Sequence, residues 1–95
     1  MSTYTTQNVS NGANALVSAM NIARGSLAEV LYAHVAQDAA VLTVATVEQA
    51  RDLAWHFAAT YSVRAAKYAY VATPRQPRAT PIHVEADGRP ELLAL

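Results

Sequence analysis

The chain has 95 residues, with seven basic against seven acidic side chains, so no overall field draws it to nucleic acid or to an anionic membrane. It has no cysteine, which excludes a disulfide framework, a thiolate metal site and a cysteine nucleophile. Apolar residues make up 53%, but many are alanine, and a chain this short buries only about 60–65% of the surface its unfolded form exposes. The larger apolar side chains, Leu42, Leu53, Phe57, Val71 and Ile82 among them, must therefore build a modest core that a second copy of the chain would help to complete.

Residues 1–12 are almost all Ser, Thr, Asn, Gln and Gly, which predicts a disordered or extended tail ahead of a single domain over 13–95. They carry no basic cluster followed by an apolar core, so they do not read as a secretory signal, and no apolar run is long enough to span a membrane. Cytoplasmic placement is the expectation. Six arginines against one lysine, with abundant Ala and Val, point to GC-rich coding, as in an actinobacterial genome, a phage or a mobile element.

From residue 13 to about 37, Leu16, Met20, Ala23, Leu27, Val30, Leu31 and His34 recur at helical spacing, which predicts a long amphipathic helix. Gly25-Ser26 in its middle costs roughly 1 kcal/mol against alanine, so the helix is expected to run on with a bend or to split there. Val41-Leu42-Thr43-Val44 is a β-branched run suited to a buried strand. Thr46 with Gln49 three residues on has capping-box spacing, and a second helix is predicted from Val47 to about Val63, with Leu53, Ala54, Phe57 and Tyr61 on its apolar face.

Residues 67–72 alternate as a half-buried strand, and the three prolines over 73–81 predict a loop. Residues 82–86 alternate again, Asp87-Gly88 is a hairpin signal, and residues 91–95 are expected to return as the partner strand. The fold class that follows is α+β: an N-terminal helix, then strand–helix–strand and a C-terminal β-hairpin. The strands form a small, mostly antiparallel sheet with both helices on one face. A parallel crossover from the first strand through the second helix to the second strand is the alternative.

Arg64, Lys67, Arg75 and Arg78 occur with no acidic residue among them, interleaved with Tyr68 and Tyr70. Cations for phosphates beside rings for bases are what single-stranded nucleic acid requires. The same residues also fit a packed strand followed by a solvated loop. Trp55 lies to the side of the second helix's apolar stripe, at the core edge or as an interface anchor. With Leu16, Met20 and Leu27 and the small residues Ala15, Ala19, Ala23, Gly25 and Ala28 it outlines a helical surface for a homo-oligomer.

His83, Glu85 and Asp87 alternate and would share one face of a strand, the wet face of a hairpin rather than a metal site. Asp52 and His56 lie four apart on the second helix, a spacing common to surface pairs. No nucleophile stands at a recognisable spacing, and no phosphate loop or dinucleotide fingerprint occurs. Neither cofactor nor metal nor catalytic residue is expected. The reading is a non-enzymatic accessory or regulatory binding protein acting on nucleic acid through the Tyr/Arg segment. The alternative is a protein–protein module, an assembly factor or an inhibitor of a host protein, acting as a homo-oligomer through its helices.

Overall fold

The computed structural model describes residues 6–36, 39–76 and 79–92. Along these the order is α1 (Thr6–Arg24), β1 (Val30–Ala36), β2 (Ala39–Val44), α2 (Val47–Ala58), β3 (Tyr61–Ala66), β4 (Ala69–Pro74) and β5 (Ile82–Ala86). The strands form one mixed five-stranded sheet in the order β1-β2-β5-β4-β3. β2 and β5 run parallel at its centre, and the remaining neighbours are antiparallel.

Period-2 alternation divides the sheet into two faces. Ala40, Leu42 and Val44 of β2, Ile82, Val84 and Ala86 of β5, and Tyr70 and Ala72 of β4 are all buried on one of them. Ala19 and Ala23 of α1 and Ala50, Leu53, Ala54 and Phe57 of α2 join the same cluster, so both helices lie on that face. Phe57 meets Tyr61 edge to face, ring centroids 5.1 Å apart, where α2 gives way to β3.

α2 starts where the capping signal places it. Thr46 has extended backbone, and its Oγ1 accepts from the Gln49 N–H at 3.1 Å. The Gln49 side chain does not close the box on Thr46. Its Oε1 accepts instead from the Glu29 N–H at 2.7 Å, while Asp52 Oδ2 accepts from the Leu27 N–H at 3.3 Å. One face of α2 thus pins the loop between α1 and β1. We expect Thr46→Ala to cost about 1 kcal/mol, read as a shift in the urea midpoint at unchanged slope. A neutral result would mean that this cap does not hold the helix.

The first helix is shorter and earlier than its periodicity predicts. It begins at Thr6, within the stretch expected to be a tail, and ends at Arg24, so it neither bends nor resumes after Gly25-Ser26. The Gly25 and Ser26 N–H groups close the last turn on Ile22 and Ala23 carbonyls, both at 3.0 Å, and Ser26 Oγ donates to the Ala23 carbonyl at 2.8 Å. Residues 30–36, expected to be helical, are β1, paired antiparallel with β2 from Val30↔Val44 to Ala36↔Ala39. Apolar residues at 30, 31 and 35 fit either period. The exposed backbone of β2 needs a ladder on this side, and that tertiary demand outweighs local propensity.

Two further expectations are corrected. α2 stops at Ala58, and residues 61–66, expected to end the helix at about Val63 and then to link it to a strand from 67, form β3. Among the described residues no C-terminal hairpin forms. Gly88 does take the turn conformation, with φ of +61°, but no strand follows it through Leu92, which is buried against the core. β5 already has β2 on one side and β4 on the other, leaving no edge for a returning strand. The parallel pairing joins β2 to β5, not to the strand expected at 67–72, which lies as β4 beside β5 and antiparallel to it. Residues 1–5 and 93–95 lie outside the described residues.

Candidate functional site

With both helices on one side, the other face of the sheet is left open, and the register shows what it presents. One row crosses all five strands, His34–Val41–His83–Val71–Arg64. A second runs Tyr32–Thr43–Glu85 over β1, β2 and β5. Val41 and Val71 are only 8% and 6% exposed although no helix covers them, because each is flanked by longer side chains on the neighbouring strands. The face is mixed: Val41 and Val71 lie low on it, His83, Thr43 and Glu85 stand on its central strands, and aromatic and charged side chains stand toward its edges.

Two aromatic groups mark one end of this face. Tyr32 is 61% exposed, and its ring centroid lies 5.0 Å from that of His34. His34 Nδ1 is buried with no hydrogen-bond partner among the described residues. Opposite, in the turn between β3 and β4, Tyr68 carries two cations, with Lys67 Nζ and Arg89 Cζ each 5.2 Å from the ring centroid. Between the two tyrosines lies a cleft of about 750 Å³ lined also by Leu31, Thr43, Glu85, Asp87, Gly88 and Arg89, a volume within the range of small-molecule sites. At its floor Thr43 Oγ1 donates to Glu85 Oε1 at 3.4 Å.

The basic segment picked out from the sequence is divided by the fold. Tyr70 is wholly buried in the core and cannot stack on a ligand. Arg64 stands on the open face, and Lys67 and Tyr68 form its corner. Arg75 follows Pro74 at the other end of β4, where it lines a separate groove beside Asn11, Asn14, Ser18 and Asn21 of α1. Arg78 lies outside the described residues.

Sequence reasoning missed Tyr32, His34 and Arg89. The first two were hidden by the reading of 30–36 as helix, although their i, i+2 spacing is the strand signal. Arg89 is 21 residues from Tyr68, and nothing local announces that they meet.

Of the helical surface, Leu16 and Met20 pack partly buried against the core. Leu27 and Trp55 are 88% and 61% exposed. His56 Nδ1 lies 2.9 Å from the Asp52 carbonyl oxygen and 3.8 Å from Asp52 Oδ2. Since Oδ2 also accepts from Leu27, the Asp52 carboxylate has a structural task. His83 and Glu85 share the open face, but Asp87 has passed into the turn, where its N–H donates to the Val44 carbonyl at 2.7 Å. Among the described residues no group of three or more His, Asp or Glu is placed to hold a metal ion, and no helix is long and apolar enough to cross a membrane.

Comparison of the chain with protein-family models, with curated proteins and with solved structures finds no match.

Proposed function

We propose that the chain is a non-enzymatic binding protein whose open sheet face takes single-stranded nucleic acid. The observation that carries this reading is the open face itself, where three cations and two exposed tyrosines stand on one side of the sheet that no helix covers among the described residues. Tyr32 and Tyr68 supply stacking surfaces, and stacking on an aromatic ring contributes about 1–3 kcal/mol per base. Lys67 and Arg89 lie against the Tyr68 ring, and Arg64 stands on the same face of the sheet, each a charge suited to phosphates.

The test is fluorescence anisotropy of labelled single-stranded oligonucleotides at increasing salt. Binding should weaken linearly in log–log form as salt rises, and Arg64→Ala should lower the slope by about one unit. Tyr68→Ala should weaken binding about tenfold or more. Folded protein that binds no oligonucleotide at low salt would refute the reading.

A second reading, a protein–protein module, is favoured by Trp55 and Leu27, two large apolar side chains left exposed on and beside α2. Association through them should resist salt, and it should be weakened by Trp55→Ala. The two readings therefore separate in one titration.

A further inference from the structure

Glu85 stands out on the open face. It projects from a central strand, is half-buried, makes no ion pair among the described residues, and has Thr43 as its single hydrogen-bond partner there. A carboxylate partly withdrawn from water without a cation is unfavourable unless something donates to it. It is also misplaced for phosphate binding, because it repels the backbone that Arg64, Lys67 and Arg89 would attract. The group suits the edge of a base instead.

Resting on the reading of the face as a nucleic-acid site, we propose that Glu85, steadied by Thr43, reads the base seated between Tyr32 and Tyr68 and makes that position selective for guanine. An ionised carboxylate is an acceptor only, with two oxygens that suit a pair of adjacent donors. Guanine alone among the bases offers such a pair on its Watson–Crick edge, the N1–H beside the N2 amino group. Cytosine and adenine each offer one amino group next to a ring acceptor. Thymine and uracil set carbonyl oxygens on both sides of their single N–H, against the carboxylate. The expected order is guanine first, cytosine and adenine between, thymine and uracil last. Thr43 donates to Oε1, which leaves Oε2 and the second lone pairs of Oε1 to accept. Arg89, lining the same cleft, can meet the phosphate of the seated nucleotide.

The experiment uses an eight-residue oligothymidine and the same strand with one central guanine, each titrated by anisotropy against the full chain. The guanine-containing strand should bind on the order of tenfold more tightly. In Glu85→Gln, which keeps the side chain's shape, that ratio should fall below about threefold, while affinity for oligothymidine rises because a charge that repels the backbone is gone. Thr43→Val should reduce the ratio in part, so the test does not hang on one variant.

Equal binding of the two strands by the unaltered chain would overturn the assignment of Glu85 while leaving the face as a nucleic-acid site. A preference that persists undiminished in folded Glu85→Gln would overturn it equally. If neither strand binds, the reading of the face fails, and the guanine site with it.

Discussion

Phe57→Ala is expected to destabilise the domain by about 3–5 kcal/mol, while Trp55→Ala, two positions earlier on the same helix, is expected to change stability by no more than about 0.5 kcal/mol. Phe57 is wholly buried, set edge-on against Tyr61 and among the largest fully buried side chains of the core, whereas Trp55 is 61% exposed. A chain of this length has a total stability of roughly 5–14 kcal/mol, so the first substitution removes a large fraction of the whole. Urea unfolding followed by circular dichroism measures both. The expected pattern is a low midpoint or no transition for Phe57→Ala beside a near-native curve for Trp55→Ala. If the two cost the same, the face of α2 that packs on the sheet has been assigned wrongly.

The contrast between these aromatics was legible in the sequence because α2 has everything a sequence reading needs. It carries a capping residue at Thr46, a 3.6-residue apolar stripe through Ala50, Leu53, Ala54 and Phe57, and a polar opposite face. β2 was legible for the complementary reason, since a β-branched run buried along most of its length has few alternatives. β1 was not. Val30, Leu31, His34 and Val35 satisfy a helical stripe as well as a strand, and what decides between them is the unpaired edge of β2, a long-range fact with no local trace. β3 was lost for a related reason, because Tyr61 at its start continues the stripe of α2 in phase, four residues after Phe57.

The same asymmetry governs the candidate site. Residues adjacent in sequence, such as Lys67 and Tyr68, stay together because a tight turn holds them, with Lys67 over the Tyr68 ring. The run from Arg64 to Arg78 was nevertheless too coarse a unit. A strand sends alternate side chains to opposite faces, which puts Tyr70 in the core while Arg64 and Val71 remain outside. The strand also carries its two ends apart, so Arg75 belongs to another groove. The parts that complete the open face, Tyr32 from β1 and Arg89 beyond β5, arrive through strand order, which only the assembled sheet reveals.

Ala19→Leu is the second substitution from which a large effect is expected, and it bears on the small residues of α1. Read from the sequence, Ala15, Ala19, Ala23, Gly25 and Ala28 suit a seam between two copies of the chain. In the fold, Ala19 and Ala23 are 0% and 5% exposed and share a cluster with Ala40 of β2, itself wholly buried. Small side chains at these points let the helix backbone approach the sheet closely. A leucine at 19 has no space to enter, and overpacking of this kind costs about 1–3 kcal/mol, while its intrinsic helix propensity differs little from that of alanine. Ala13→Leu, at an exposed position on the same helix, is the control and should be near neutral. Thermal unfolding combined with light scattering separates the alternatives. A lowered melting temperature at unchanged mass places the small face inside the domain. A lowered mass with the fold intact would place it between copies instead, and the packing of α1 on β2 would have to be abandoned.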